Sequence, residues 1–277
     1  MRDTKKVDPN EAESSPHGSI SSSEYTRDYY LSSCQGHEEF ITSKGRYLPI
    51  RLSLPLKLAE LSFGLQVVDI GCGRGEIILQ CAKQGSIAWG IDYAFPALEL
   101  AKEAIHDSSD QESMNMIGIQ QANAQHLPFM NDSADVVFML DLVEHLLPEE
   151  LKRALVETFR ILKPGGRLII HTMPNLWYYH FGYPVYRFIQ SLRGEELPED
   201  PRKRWSYSHV HVNEQTPRTL KKALIASGFQ TKVWLQSTVS YEYEKNLIVR
   251  RGMEFLTTVP PLRTIFCNDI FAVGIKN

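Results

Sequence analysis

Cysteine is scarce in this chain. Its 277 residues hold four, Cys34, Cys72, Cys81 and Cys267, and no two form a C-x-x-C pair. That spacing argues against a zinc ribbon, a thioredoxin-type dithiol and a disulfide scaffold. Cys72 and Cys81 read most simply as small buried apolar residues. Long apolar runs are missing too: nothing approaches the roughly 18 residues that a membrane-spanning helix needs, so no integral membrane association is expected. There is no excess of positive charge. Thirty basic against thirty-three acidic side chains leave a formal charge of −3, which disfavours a nucleic-acid binder and leaves room for at most a local basic patch. The opening MRDTKKVDPNEAESSPHG has no apolar h-region. A cytoplasmic protein without a secretory signal is therefore the expectation.

What is there is an ordinary globular composition, 43% hydrophobic, on a chain long enough to bury a sizeable core. Residues 1–23 are rich in Ser, Glu and Lys and offer little to bury, which predicts a disordered tail. Residues 24–63 carry Tyr25, Tyr29, Tyr30, Phe40 and Ile41 and are interrupted by Pro49 and Pro55. Helical pieces forming an N-terminal lid fit that pattern. From 64 to 173, strand and helix signals alternate, the rhythm of an α/β core. QVVDI (66–70), SIAWGI (86–91), residues 116–120, ADVVFML (134–140) and RLIIHT (167–172) read as strands. EIILQCAK, ALELAKEAI and a strong amphipathic helix opened by Pro148 lie between them. The Lys163-Pro164-Gly165-Gly166 segment is expected to break that last helix. Residues 174–212 interrupt the rhythm with an aromatic-rich insertion, Trp177 to Phe188, read as a substrate-pocket lid. A dimer contact and an interfacial anchor are alternatives for it. Residues 213–277 return to the core, with closing strands at 229–235 and 266–275.

The informative segment is Val67-Val68-Asp69-Ile70-Gly71-Cys72-Gly73-Arg74-Gly75-Glu76. A glycine-rich turn between strand and helix lets backbone approach a ligand closely. The G-x-G-x-G spacing is tighter than the dinucleotide fingerprint. Asp69, just before the first glycine, would repel a pyrophosphate and attract an ammonium. Asp92, at the end of the next strand, stands where an acid accepts hydrogen bonds from ribose hydroxyls. A ribose with an ammonium and no phosphate matches S-adenosylmethionine.

The successive segments VVDIGCGRGE, GID, LPF (127–129), ADVVFMLDLVEHL and RILKPGGRLII resemble, in order and interval, the motifs of class I S-adenosylmethionine-dependent methyltransferases. The resemblance implies a Rossmann-like three-layer α/β sandwich on a seven-stranded, mostly parallel sheet with an antiparallel last strand. It also implies cofactor contacts at Asp69, Gly71, Cys72, Gly73, Asp92 and Tyr93, at Asn123-Ala124 beside the adenine, and at Asp141 facing the methionine carboxylate and the methyl group. Asp141 with Asn175 is similar to the metal ligands of catechol-type O-methyltransferases, but the adjoining aspartate is missing and a metal-free site is expected. Glu144-His145 resembles a dyad of ubiquinone-pathway O-methyltransferases. His145, with an ordinary pKa near neutral, is the first expected base and His209 or His211 the second, the latter two placed on one face by their alternation.

The expectation is methyl transfer to a small-molecule or lipid-like acceptor, at oxygen, with a homodimer left open. An RNA-modifying methyltransferase and an NAD(P)-dependent oxidoreductase of similar layered fold are the alternatives. The acid before the glycines speaks against the oxidoreductase. LDLVEH stands where amino-methylating DNA enzymes carry (N/D)-P-P-(Y/F), so DNA is not an expected partner.

Overall fold

A computed structural model describes residues 19–108, 110–242 and 244–277. Short β-branched and aliphatic runs form seven strands: β1 Gln66–Ile70, β2 Ile87–Asp92, β3 Ile117–Gln121, β4 Ala134–Leu140, β5 Leu162–Thr172, β6 Gln230–Leu235 and β7 Ile270–Ile275. They make one sheet in the order β3-β2-β1-β4-β5-β7-β6. The pairings from β3 across to β5 are parallel, and β7 runs antiparallel to both β5 and β6. Chain order reverses between β1 and β4. At such a switch point the strand ends diverge and leave a crevice at their carboxyl tips.

Period-two alternation divides the strand side chains between two layers. Val68, Val137, Met139, Leu168 and Ile170 pack with Leu151, Ala154 and Leu155 of the helix Pro148–Ile161 and with Leu220 and Leu224 of the helix Pro217–Ala226. Val67, Val136, Phe138 and Ile169 face the other way, onto Ile77, Ile78 and Cys81 of the helix Glu76–Lys83 and onto Leu52 of the helix Ile50–Leu58. All four cysteines are free thiols, and Cys72, Cys81 and Cys267 are buried. A third cluster joins Tyr25, Tyr29, Tyr30 and Phe40 to Ala97, Leu100 and Ala104 of the helix Phe95–His106. The N-terminal aromatics therefore pack onto the sandwich.

Several boundaries differ from the sequence expectation. Residues 1–18 of the expected tail lie outside the described residues, whereas Ser22–Glu24 form a 3-10 turn capped by the Ser21 side chain. The Lys163-Pro164-Gly165-Gly166 segment belongs to β5. The register beside β4 jumps there from Ala134–Leu162 to Val136–Arg167, a bulge that absorbs the proline and glycines. β7 starts at Ile270 and not at Phe266, because Leu262–Phe266 is helical. The Asn246-capped helix Leu247–Thr258 was not expected.

Gly75, the last glycine of the turn, has φ +81°, and a Cβ there would lie 2.9 Å from the Ala101 Cβ. Gly165 has φ +80° with open space around it. The pair separates backbone strain from crowding. Gly165→Ala should cost about 1 kcal/mol from conformation alone, and Gly75→Ala about 2–3 kcal/mol with the overlap added. At roughly 2–4 °C per kcal/mol for a chain of this size, calorimetry should put the Gly75→Ala midpoint clearly below that of Gly165→Ala. Equal midpoints would show that the helix yields without cost.

Candidate active site

A cavity of about 760 Å³ opens at the switch point, lined by the tips of β1, β2 and β4 and by residues of the N-terminal segment. Its floor is the glycine turn. Gly71 and Gly73 have φ +74° and +50°, and the backbone N–H groups of Gly71 and Cys72 donate to the Ile91 carbonyl at 2.7 and 3.0 Å. This pins the turn to β2. Asp92 finishes the link: one carboxylate oxygen accepts from the Gly73 N–H at 3.0 Å and the other from the Ala94 N–H at 2.9 Å. Burial lifts the Asp92 carboxyl to about 6, with those N–H donors pulling the other way. Its remaining lone pairs can still accept hydroxyl hydrogens. Asp69 is buried and lines the cavity, and its carboxyl has no hydrogen-bond partner among the described residues. Burial first, then the charges of Asp92 and Glu76, raise it to about 8. A cation placed beside it would relieve that penalty.

The roof is the N-terminal segment. Tyr25, Tyr29 and Tyr30 line the cavity, and the Tyr25 ring meets Tyr29 and Tyr93 edge-on at 5.3 and 5.6 Å. Arg74, within the glycine turn, holds the roof down. Its guanidinium donates to the Tyr30 and Gln35 carbonyls at 2.8 and 3.0 Å and pairs with the buried Glu76 at 2.9 Å. Asn123 and Ala124 line the opposite side. The Asn123 amide oxygen accepts from the Gln125 N–H at 2.9 Å, leaving one lone pair for a ligand.

At the tip of β4 the expected geometry needs correction. Asp141 lines the cavity with φ +52°, but its carboxylate is already engaged. It takes the Arg51 guanidinium on one oxygen and His171 Nδ1 at 2.5 Å on the other. His171 is fully buried, and its Nε2 lies 3.2 Å from Asp269. Burial opposes charge on the imidazole, yet Asp141 and then Asp269 lift it to about 10. Burial would likewise raise Asp141, yet Arg51 and His171 hold it well below the carboxylate range. Asp141 therefore cannot face a ligand carboxylate as a bare anion. The cation on that wall is Arg51, which the sequence reading missed; its one signal was a lone arginine within the apolar run YLPIRLSLPL. Arg51 is buried, lines the cavity, and keeps an Nε without any partner among the described residues.

Beyond β4, the 3-10 turn Val143–His145 brings Glu144 and His145 to the cavity. The Glu144 carboxylate accepts from the Thr172 hydroxyl at 2.7 Å, and its backbone carbonyl accepts from the Val212 and Asn213 N–H groups at 2.9 and 3.0 Å. Burial, then Asp141, raises its carboxyl. His145 Nδ1 lies 3.1 Å from the Val210 carbonyl and 2.9 Å from the Tyr25 hydroxyl. A carbonyl only accepts, so Nδ1 carries the hydrogen and Nε2 keeps its lone pair. The expected near-neutral titration fails: burial and then His211 push His145 down to about 3.

His209 and His211 do not share a face, because Ser208–Val210 is a 3-10 turn and not a strand. His211 points inward, its ring 4.9 Å from that of His145. His209 points outward, its Nε2 3.0 Å from Glu24. Asn175 is fully buried, and its Nδ2 donates to the Cys267 carbonyl at 3.0 Å. Of the aromatic stretch 177–188, only Tyr179 lines the cavity; Phe181 and Phe188 are exposed. That stretch supplies one ring to the site and turns much of its apolar surface outward, while Trp205, Tyr207 and His211 from the rest of the insertion also line the cavity.

Comparison with known proteins finds a family domain within this geometry. The family model described as "Methyltransferase domain" matches residues 68–170. A demethylmenaquinone methyltransferase of Lactiplantibacillus plantarum is 32% identical over 114 residues, 40% of this chain and 46% of that protein. A ubiquinone biosynthesis O-methyltransferase of Escherichia coli O157:H7 is 30% identical over 129 residues, 46% of this chain and 51% of that protein. The chain thus spans about half the length of the curated relatives it matches. Two solved structures share the fold. A SAM-dependent methyltransferase from Methanosarcina mazei has a TM-score of 0.55 at 23% identity, covering 80% of this chain and 97% of that one. The Haemonchus contortus phosphoethanolamine N-methyltransferase 2, in complex with S-adenosyl-L-methionine, has a TM-score of 0.59 at 17% identity, covering 94% and 60%. Residues 68–170 thus match a methyltransferase domain, carried on a sheet whose fold is shared with solved S-adenosylmethionine-dependent methyltransferases.

Proposed function

We propose that this protein transfers the methyl group of S-adenosylmethionine to a hydroxyl oxygen of a small-molecule acceptor. The observation that carries the reading is the pair Asp69 and Asp92, buried at adjacent strand tips on one cavity. The fit to the cofactor follows atom by atom. Asp69, unpartnered among the described residues, takes the ammonium. Asp92, held by two backbone N–H groups, accepts the ribose hydroxyls. Arg51, with its spare Nε, answers the methionine carboxylate. Tyr93, beside Asp92, lies against the adenine or ribose, and Asn123-Ala124 border the adenine. Gly71, Cys72 and Gly73 let the backbone approach.

When bound, the cofactor supplies a methyl already made electrophilic by its sulfonium. The protein's share is positioning. It holds the acceptor in line, a contribution worth several kcal/mol, and excludes water beneath the tyrosine roof. Oxygen as the target rests on the wall facing the acceptor: Glu144, His145 and His211 offer lone pairs to a hydroxyl hydrogen, and the Val210 carbonyl orients His145 so that Nε2 is the accepting atom. His209, paired with Glu24 outside the cavity, has no part in this step.

Two outcomes follow. Asp69 binds an ammonium only as a carboxylate, and burial raises its pKa to about 8. Affinity for S-adenosylhomocysteine should therefore rise with pH, on the order of tenfold between about pH 6.5 and about pH 8. Asp69→Asn should flatten that profile in titration calorimetry and weaken binding; a wild-type profile already flat would remove Asp69 from the ammonium site. His145→Ala should lower turnover on hydroxylated acceptors on the order of a hundredfold while leaving S-adenosylhomocysteine affinity within about twofold. An unchanged rate in a coupled assay for S-adenosylhomocysteine release would take His145 out of the reaction.

A further inference from the structure

We propose that Glu144, His145 and His211 form a binding site for a divalent first-row transition cation on the acceptor side of the cavity. Each of the three offers a ligand atom, and these atoms lie within 4.8 Å of one another. Tetrahedral metal–ligand bonds of about 2.0–2.2 Å set donor atoms about 3.3–3.6 Å apart, so side-chain rotations that draw the three atoms together by on the order of an ångström close the set. Two imidazoles and one carboxylate suit zinc, cobalt, iron or manganese and leave coordination positions open to another ligand.

The surroundings of the three residues are those of a ligand set. A ligating histidine commonly donates its other ring N–H to a backbone carbonyl, which fixes the tautomer. His145 does so, with Nδ1 on the Val210 carbonyl at 3.1 Å and Nε2 left free. A ligating carboxylate is commonly held by a hydrogen bond on one oxygen. The Thr172 hydroxyl provides it to Glu144 at 2.7 Å. The backbone of Val212 and Asn213 is strapped to the Glu144 carbonyl, which carries His211 onto the same spot. The His211 imidazole makes no hydrogen bond among the described residues although it faces the cavity. Two of the three side chains are thus oriented by outer partners, and the third is left without one.

The site gives the proposed reaction, on which this role rests, a way to ionise its acceptor. With the cation bound, the His145 Nε2 lone pair ligates it and no longer accepts the hydroxyl hydrogen. The cation instead lowers the pKa of a hydroxyl that reaches an open position, and the proton leaves to solvent. The oxygen then forms its bond to the methyl carbon as the carbon–sulfur bond breaks. The bonding pair stays on sulfur, and S-adenosylhomocysteine departs. No oxidant or further reactant enters.

Binding of cobalt(II) to the full chain, stripped with a chelator and dialysed, tests the site without any turnover. One equivalent should bind, with visible ligand-field absorption reporting nitrogen and oxygen donors, and zinc(II) should displace it. His211→Asn and Glu144→Gln should each weaken cobalt binding at least tenfold, whereas His209→Ala, outside the cavity, should not change it. Calorimetry with S-adenosylhomocysteine on the same samples shows that each variant is folded. Absence of stoichiometric binding to the wild-type chain, or His211→Asn binding as tightly as wild type, overturns the proposal. Cobalt bound as expected while S-adenosylhomocysteine fails to bind wild type would sink the methyl-transfer reading and leave the cation site standing.

Discussion

A row of alternating charges beneath the cavity, Arg51, Asp141, His171 and Asp269, ties together parts of the chain that are far apart in sequence. Arg51 comes from the helix Ile50–Leu58 and Asp141 from the tip of β4. His171 lies near the end of β5, and Asp269 just precedes β7. Two cations and two anions compensate one another, so the buried charges carry no net deficit. Removing one member would leave its neighbour charged and unpaired in a dry setting, which typically costs about 3–5 kcal/mol. The row sets where the N-terminal helix meets the sheet, holds Asp141 in its left-handed conformation, and presents the guanidinium of Arg51 to the cavity.

That constraint explains why the site divides into two chemically distinct halves. On the β1 and β2 side the groups are carboxyls, Asp92 held by two backbone donors and Asp69 without a side-chain partner among the described residues, suited to a ligand that is cationic and rich in hydroxyls. On the β4 side Asp141 is neutralised, and the cavity meets the Arg51 cation, two imidazoles that burial keeps uncharged and the Glu144 carboxyl that burial raises. A ligand with a positive and a negative end is thereby given one orientation.

The sequence disclosed the parts of this arrangement that sit inside local motifs. The β-branched runs 66–70 and 134–140 fall on strands with the bounds expected, because burial on both faces leaves an unbroken apolar signal. Asp69 and Asp92 were legible because each lies at the carboxyl end of a strand run, Asp69 just ahead of the glycine turn. Arg51, His171 and Asp269 were not: nothing near Arg51 in sequence says that its partner lies 90 positions away. The reach of His211 to His145 was hidden for the same reason, and the H-x-H alternation pointed to a strand where a 3-10 turn formed. The aromatic insertion misled differently. Ring content predicts burial somewhere, but not against which surface, and the helix Tyr183–Leu192 leaves Val185, Phe188, Ile189 and Leu192 exposed.

The placement of β7 bears on how the polypeptide is built. It is the last of the seven strands to leave the ribosome, yet it lies in the interior of the sheet, with β5 on one flank and β6 on the other. Until it arrives, β6 has no neighbour to pair with and β5 shows a naked edge, the kind of surface that recruits other nascent chains. Asp269, immediately before β7, completes the charge row at that same moment, so closure of the sheet and neutralisation of His171 are one event. Synthesis must therefore pass residue 275 before β5, β6 and β7 can settle together, and a ribosome stalled short of residue 270 would release an adhesive, half-zipped intermediate.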